Sequence, residues 1–380
     1  MSQALITRKG GNPYTTINFD LPAFQRETAT SLSEARNYLA ATQIGDYTLF
    51  GGGYTGSASN VVDAYNTSLV RSTPTSLSAA RQQLAATTIG NYALFGGGNN
   101  VVDAYDTSLT RSTPTALSVA RRSLAATTIG NYALFGGGNA GSDSDIVDAY
   151  DSSLTRTTPT VLSVGRRNLA ATSVGNYALF GGGQSPSNSN VVDAYDTSLT
   201  RSTPTALSVA RYYLAATSVG NYALFGGGSN GTKAVEAYDS NLTRTTPTSL
   251  SVSRGFFSAT SIGNYALFGG GSIGNSALDA VDAYDSTLTR TTPTVLSVAR
   301  NYLAATTIGN YALFGGGSTG PSYSNAVDAY SFKRYTVQVY PGTKYKFSNM
   351  SSELTSNTFQ EINITGQPVG YIKIKNTNVN

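Results

Sequence analysis

The stretch GNYALFGGG at Gly90–Gly98 occurs six times with the same spelling, and a near copy, GDYTLFGGG, stands at Gly45–Gly53. The successive glycine triplets begin 45, 40, 45, 45, 43 and 46 residues apart. The distance from the last glycine of a triplet to the acid of the next DAY or EAY varies. When this distance is subtracted from each step, 35 residues remain every time. All of the length variation therefore lies in one loop, directly after the triplet.

One repeat contains four short segments that are rich in Thr, Tyr, Val and Phe and are separated by turn residues. They read R-x-x-LAAT-x-IG, NYALFGGG, VDAYD and SLTRSTPT-x-LS. These residue types and lengths are typical of β-strands. Four strands in a repeat of about 45 residues is the pattern of a β-propeller blade. We expect an all-β fold of seven blades, because seven arginines open the first segment: Arg36, Arg81, Arg121, Arg166, Arg211, Arg254 and Arg300.

The ring is predicted to close through the N-terminal part of the chain. Only six TPT segments occur, and the seventh repeat stops near Ser331 without one. Phe24–Arg36 aligns with Leu109–Arg121, so residues 24–32 are expected to supply the outer strand of the blade at 300–331. The predicted organisation is an N-terminal arm at 1–23, the propeller at 24–331 and a small antiparallel β-module for attachment at 332–380.

Composition excludes most catalytic chemistry. The chain has no His, Cys or Trp, so a Ser-His-Asp triad, a cysteine nucleophile and a zinc site of these ligands cannot form. The net charge of +4 is not gathered into a run, which argues against nucleic-acid binding. No stretch approaches the length of a membrane span, and the opening residues lack the apolar region of a secretory signal peptide. We expect no enzyme activity, no cofactor, no metal and no membrane insertion.

The repeat resembles the kelch motif. Its marks are an arginine opening the first strand, hydrophobic residues before a double glycine, and a Tyr-Asp pair, here Arg121, Ala133–Gly138 and Tyr150–Asp151. The resemblance covers about 300 of the 380 residues, and it departs from the family in lacking the tryptophan of the fourth strand. It implies a seven-bladed kelch-type β-propeller. WD40 propellers need Gly-His and Trp-Asp pairs, which this chain cannot supply.

Two places differ between the copies, and both are predicted to lie on one face of the ring. Strand one starts and strand two ends on the same side of an antiparallel sheet, so the pair after each opening arginine should lie beside the loop after each triplet. Tyr, Asn, Ser, Gly and Arg dominate there, as in antibody paratopes. The predicted partner-binding residues are Asn37, Tyr38, Gln82, Gln83, Arg122, Ser123, Arg167, Asn168, Tyr212, Tyr213, Gly255, Phe256, Asn301 and Tyr302. The alternative is loop drift without a ligand.

Other repeated residues have two interpretations each. The opening arginines either line the central ligand-binding face, as they can in kelch propellers, or bond backbone carbonyls between blades. The arginines of the outer segment, such as Arg111, are expected to pair with acids of their own blade. The triple glycine either cradles a phosphate or allows close packing between strands. Asp143, Asp145 and Asp148 are oxygen ligands of the type calcium takes, but the set is incomplete.

The opening residues ALITRKGG resemble N-terminal segments of minor structural proteins in phages of Gram-positive bacteria, whose kelch-like arrays have similar spelling. This resemblance implies a virion component (tail, fibre or capsid decoration) whose variable face adheres to a host surface glycan or protein. Residues 1–23 and 332–380 would then attach it to other virion or surface proteins in a larger assembly. The alternatives are a bacterial kelch-type interaction scaffold or adhesin, at the cell surface or in the cytoplasm, and a polysaccharide-cleaving enzyme.

Overall fold

A computed structural model describes residues 15–339, except Asn230, together with 360–363 and 371–376. The described chain contains no helix, and it forms seven antiparallel sheets of four strands or more and two small hairpins. Each innermost strand contacts the innermost strands of the two neighbouring blades, and the seventh contacts the first. The protein is therefore a closed seven-bladed β-propeller, as the repeat count predicts.

Every blade is a meander in which consecutive strands are neighbours. The inner strands are Ala40–Ile44, Leu84–Ile89, Ala125–Ile129, Ala170–Val174, Ala215–Val219, Ser258–Ile262 and Ala304–Ile308. The second strands are Tyr47–Gly51, Tyr92–Gly97, Tyr132–Gly136, Tyr177–Gly181, Tyr222–Gly226, Tyr265–Gly269 and Tyr311–Gly315. The third strands are Val62–Asn66, Val102–Tyr105, Val147–Tyr150, Val192–Asp196, Val235–Tyr238, Val281–Asp285 and Val327–Val339. The outer strands of blades one to six are Arg71–Ser72, Arg111–Ser112, Arg156–Thr157, Arg201–Ser202, Arg244–Thr245 and Arg290–Thr291.

Two loops after the glycine triplets contain hairpins of their own. They belong to blades four and six, where the loops are among the longer ones: Gln184–Ser185 with Ser187–Asn188, and Ser272–Ile273 with Ser276–Ala277.

The inner and second strands are joined by a two-residue turn that begins with glycine. In blade three the register runs from Ala125 opposite Gly136 to Ile129 opposite Tyr132, which leaves Gly130 and Asn131 in the turn. Gly130 has φ +52°, a left-handed conformation that glycine adopts without a steric cost. The repeated Ile-Gly-Asn or Val-Gly-Asn thus sets the hairpin and its register.

The first glycine of each triplet makes room for the next blade. A Cβ atom on Gly136 would lie 2.6 Å from Cε1 of Phe180, the phenylalanine of the following second strand. The same relationship holds around the ring, and it closes between Gly315 and Phe50. Each phenylalanine can therefore pack this closely against its neighbour only because the neighbour lacks a side chain there.

The second and third glycines of each triplet allow the backbone to approach the next blade closely. Gly137 has φ +70°, and a Cβ atom on it would lie 2.6 Å from the carbonyl oxygen of Arg166 in the next blade. The N–H of Gly138 donates to that same carbonyl at 2.9 Å. Because strands flank the triplet and its glycines are buried in the contact between blades, the close-packing interpretation is correct.

Each blade contains a buried ion pair. The seven opening arginines and the acids of the third strands are almost completely inaccessible to solvent. Arg166 lies 2.8 Å from Asp193 and donates to the carbonyl of Phe180 at 3.0 Å, and both partners belong to its own blade. The arginines do bond backbone carbonyls, chiefly that of the phenylalanine in the second strand of their own blade, and none of them lines the central cavity.

The outer arginines pair with the same acids, as expected, in five of the six blades. Arg201, for example, lies 3.0 Å from Asp193. Blade five differs because it has Glu236 in place of aspartate. The longer side chain reaches Arg211 and Ser208, and Arg244 instead donates to the carbonyl of Ala206 at 2.7 Å.

The N-terminal segment supplies the missing outer strand of blade seven. The strand Thr15–Thr28 pairs with the third strand of that blade. Arg26 lies 2.9 Å from Asp328, which places it as the seventh outer arginine. The N–H of Ala29 donates to the carbonyl of Val327 at 3.1 Å, and Leu32 joins the buried cluster between blades seven and one. The predicted closure is confirmed.

The chain divides into two compact units, Arg26–Ser331, which is the propeller, and Met1–Gln25 with Phe332–Asn380. In the second unit the strand Tyr371–Asn376 pairs with Gln360–Asn363 and with Tyr335–Val339, in agreement with a small antiparallel module. The predicted arm at 1–23 and the predicted module at 332–380 lie wholly outside the residues whose side chains the structure describes.

Candidate functional site

The two variable places lie together, as strand direction predicts. Backbone bridges join the residue after the opening arginine to the residue after the triplet, for example Arg122 to Asn139 and Arg167 to Gln184. Equivalent bridges join Asn37 to Tyr54 and Asn301 to Ser318. We call this side of the ring, with the fourteen predicted residues and the loops after the triplets, the variable face.

The second residue of each variable pair belongs to a closed circle of hydrogen bonds around the propeller axis. Each N–H donates to the carbonyl of the equivalent residue in the preceding blade, at N···O distances of 2.8–3.1 Å. The circle closes where Tyr38 donates to Tyr302. We call these seven residues the axial ring: Tyr38, Gln83, Ser123, Asn168, Tyr213, Phe256 and Tyr302.

All seven axial-ring residues have left-handed backbone conformations, with φ between +52° and +60°. Such a conformation costs an L-residue roughly 1–2 kcal/mol, and glycine would avoid this cost. None of the seven positions is glycine. Six leucines, including Leu154, have similar φ values, but these are the same residue in every copy and pack against the core. The axial-ring positions instead hold five residue types, with tyrosine at three of the seven, so a single packing role does not account for them.

Blades five, six, seven and one place aromatic side chains at the axis. The ring centroids of Tyr213 and Phe256 are 4.0 Å apart, and those of Phe256 and Tyr302 are 4.7 Å apart. Tyr302 and Tyr38 follow at 4.2 Å. Tyr212, the first residue of its pair, extends the group with its ring 4.9 Å from that of Tyr213. Five aromatic rings thus form one continuous cluster on one half of the variable face.

Blades two, three and four place polar side chains on the other half. Gln83, Ser123 and Asn168 complete the axial ring, and the Ser123 hydroxyl lies 3.4 Å from Oε1 of Gln83. Arg122 is exposed, whereas the half-buried Arg167 forms an ion pair with Asp143 and donates to Gln184 at 3.3 Å. The face is therefore divided into an aromatic half and a polar half.

The axial ring surrounds a cavity of about 300 Å³. Its floor consists of the residues that follow the ring in sequence, Leu39, Leu84, Leu124, Leu169, Leu214, Phe257 and Leu303. A concave apolar floor with a few polar groups at the rim is typical of small-ligand sites.

Two tyrosines of the axial ring, Tyr302 and Tyr213, have a raised pKa. Burial, a side-chain hydrogen bond with Tyr38 and the nearby tyrosines raise the pKa of Tyr302. Burial also raises the pKa of Tyr213, whose side chain bonds with Asn168. Both hydroxyls therefore stay neutral at physiological pH and can donate or accept hydrogen bonds.

The first residues of the variable pairs differ in their exposure to solvent. Arg122 is exposed, and Gln82, Arg167 and Tyr212 are half-buried. Asn37 and Asn301 are only 6% and 8% exposed, and Gly255 is buried as well. The axial-ring members converge on the cavity, whereas these residues lie around it and only some of them present side chains to solvent.

Sequence reasoning did not single out two loop tyrosines. Tyr54 and Tyr323 come from the loops of blades one and seven, and their ring centroids are 5.7 Å apart. Both blades belong to the aromatic half. Tyrosine in two otherwise small and polar loops was the available signal, but the contact depends on ring closure.

The acidic loop of blade three does not form a cation site. Asp148 is buried between Arg121 and Arg156, and Asp143 pairs with Arg167. Among the described residues, no group of three or more possible ligands is arranged to hold a metal ion.

No protein-family model matches the chain, and no curated protein is similar to it at a significant level. No helix in the described portion is long and apolar enough to span a membrane.

Proposed function

We propose that the chain is a non-enzymatic binding protein and that the axial ring is its ligand site, which holds a glycan on a host surface. The carrying observation is the set of seven non-glycine residues in left-handed conformations around one cavity. Strain of this type clusters at binding sites, where other interactions hold it in place. The side chains so positioned differ between blades, while the frame beneath them is repeated.

The division of the variable face into an aromatic half and a polar half suits a carbohydrate ligand. A pyranose ring has an apolar C–H face, which packs against the π-face of an aromatic side chain, and equatorial hydroxyls, which need hydrogen-bonding partners. Tyr213, Phe256 and Tyr302 supply aromatic faces. Gln83 and Asn168 supply amides, each of which offers both donors and acceptors.

The proposed site is one of binding and not of catalysis. A carboxylate-pair glycosidase needs two acids about 5–9.5 Å apart at the scissile bond. The described residues that line the central cavity include no Asp or Glu. The conserved acids of the repeat are held in buried ion pairs with arginines.

The setting we propose is a kelch-type structural protein of a bacteriophage particle, attached through residues 1–23 and 332–380 with the variable face outward. The support is the resemblance of ALITRKGG and of the repeat spelling to phage structural proteins. Capsid, sheath or tail genes beside the coding gene would support this setting, and a neighbourhood without such genes would argue against it.

The binding proposal is tested with the purified full chain on a glycan array and on whole bacterial cells. Tyr213→Ala with Tyr302→Ala is expected to abolish attachment, because it removes two of the stacked rings. Asn131→Ala, in an exposed turn at the other end of its strand, is the control and should leave attachment unchanged. Attachment that survives the double substitution, or release of reducing sugars from the bound polysaccharide, would contradict the proposal.

A further inference from the structure

Three cavities on the variable face adjoin one another. The central cavity shares Gln83, Ser123, Asn168 and Tyr213 with a cavity of about 410 Å³ over blades three and four. Over the neighbouring blades five and six it shares Phe256 with a cavity of about 200 Å³. Together they form a groove that follows blades three to six beside the axis, and their combined volume is larger than a single sugar requires.

The end of the groove over blades five and six opens beside one glycine, and its lining includes Tyr212, Phe256 and Arg254, which is paired with Asp282. Gly255 is the only glycine among the first residues of the variable pairs. A Cβ atom on it would lie 3.0 Å from the nitrogen of Ser229 and 3.1 Å from the carbonyl carbon of Gly228, both of which line this cavity. The missing side chain leaves a cleft between Tyr212 and Phe256, with the 45% exposed Ile273 at its rim.

The other end of the groove is cationic. Its lining contains Arg122, Arg167 and Asn139 and no Asp or Glu among the described residues. Asp143 neutralises Arg167 from outside this lining. Arg122 is exposed and forms no ion pair with another described residue. One guanidinium charge therefore remains unneutralised at this end, and its planar donors match a carboxylate or phosphate.

We propose that the groove binds an acidic oligosaccharide lengthwise, with an anionic group at Arg122 and a sugar face in the cleft between Tyr212 and Phe256. This inference rests on the proposed glycan-binding function and specifies the class and orientation of the ligand. The anion is a carboxylate of a uronic acid or a phosphate, since both accept paired hydrogen bonds from a guanidinium. The ligand has at least two sugar units, because the two contacts lie in separate cavities that both adjoin the central one.

The test uses the full chain and pairs of oligosaccharides that differ only in charge. Hexagalacturonate is compared with its fully methyl-esterified form, and phosphate-bearing oligosaccharides are compared with their dephosphorylated forms. The wild-type protein is expected to bind the acidic member of at least one pair at least tenfold more tightly. This preference should weaken with added salt, because ions screen an exposed charge.

Three variants locate the interactions. Arg122→Gln should remove the preference for the acidic member and leave binding of the neutral member unchanged. Lys233→Gln, which removes an exposed positive charge that is not in the groove lining, is the matched control and should retain the preference. Gly255→Ser should weaken both members, and retention of the wild-type unfolding temperature would show that the variant is folded.

The outcomes separate this inference from the proposed function. If no pair shows an acidic preference, or if Arg122→Gln weakens both members equally, the inference is overturned while glycan binding at the axial ring stands. If Tyr213→Ala with Tyr302→Ala also leaves all binding unchanged, the proposed function fails as well. Binding of a protein or peptide in place of every glycan would overturn both.

Discussion

The phenol rings of Tyr38 and Tyr302 contact each other with their centroids 4.2 Å apart and their planes tilted by 40°. These residues belong to the first and the last blade, and they meet only because the ring closes. The N–H of Tyr38 also donates to the carbonyl of Tyr302 at 3.1 Å. The aromatic half of the variable face is therefore assembled across the seam of the propeller, and its geometry depends on the closure strand.

Replacing an axial-ring residue with glycine should stabilise the fold. Ser123→Gly relieves a backbone at φ +57° and removes a side chain with only one long hydrogen bond, so we expect a gain of about 0.5–1 kcal/mol in unfolding free energy. Leu154→Gly is the matched control at φ +64°, and it should lose stability because Leu154 packs against the core. Urea denaturation measures both. Equal losses in the two variants would show that the axial ring is a structural element.

A methyl group on the first glycine of a triplet should disrupt the contact between blades. In Gly181→Ala the new Cβ would lie 2.7 Å from Cε1 of Phe225, and overpacking of this type costs about 1–3 kcal/mol. Adding Phe225→Leu should recover part of this loss, with a coupling of at least about 0.5 kcal/mol in a double-mutant cycle. Strictly additive effects would show that the alanine destabilises through something other than the phenylalanine.

The buried and half-exposed arginines that share one aspartate should differ in their contributions. Arg166→Ala leaves Asp193 buried without its inner partner, and breaking such a pair costs about 3–5 kcal/mol. Arg201→Ala removes a partner that is 25% exposed, and its loss should be about 1 kcal/mol or less. Thermal and urea unfolding distinguish the two. A larger loss for Arg201→Ala would contradict the structural role assigned to the opening arginines.

The closure strand should contribute as much as an ordinary outer strand. Arg26 contacts Asp328 at 2.9 Å, and Arg290 contacts Asp282 at 2.8 Å, with the same 25% exposure of both arginine side chains. Arg26→Ala and Arg290→Ala are therefore expected to lower the unfolding free energy by the same amount, within about 0.5 kcal/mol. A negligible effect of Arg26→Ala alone would mean that the seam is held by other contacts.

Stability should fall in alkaline solution. Burial, followed by the neighbouring acids, raises the pKa of the third-strand tyrosines, including Tyr105 and Tyr195. The unfolded chain loses these phenol protons from about pH 10, while the folded chain retains them, so the contribution of these tyrosines to the unfolding free energy is constant below that pH and declines above it. With no histidine in the chain, we expect a flat profile between about pH 6 and 9.

Urea unfolding at a series of pH values measures this decline, and phenolate absorbance reports whether the buried tyrosines ionise before or with unfolding. Tyr195→Phe is the control. It removes one titrating group, along with a 2.7 Å bond to the carbonyl of Thr160, and should reduce the alkaline slope. A slope that is the same in this variant would show that other groups cause the decline.

The fold was predictable from the sequence because the length and pattern of the repeat are those of a propeller blade. The constant 35 residues define the blade, and the displaced Phe24–Arg36 segment indicates the closure. The side-chain reason for the triplet was not predictable, since Gly136 and Phe180 meet only when two blades are packed at a specific distance. Similarly, the two residues after each opening arginine could be recognised as variable from the sequence. Their different positions could not, because they depend on the left-handed φ of the second residue. The second residue turns toward the axis, whereas Asn37 and Asn301 are buried beside it.

The salt bridge between Arg26 and Asp328 has a consequence for synthesis on the ribosome. Its two partners are 302 residues apart, and at about 5–20 residues per second the second is made roughly 15–60 seconds after the first. During that interval the N-terminal strand has no partner, while the intervening blades can already pack against one another. The nascent propeller is therefore an open arc with two unpaired edges, and an early encounter with a second nascent chain would join copies through exchanged closure strands.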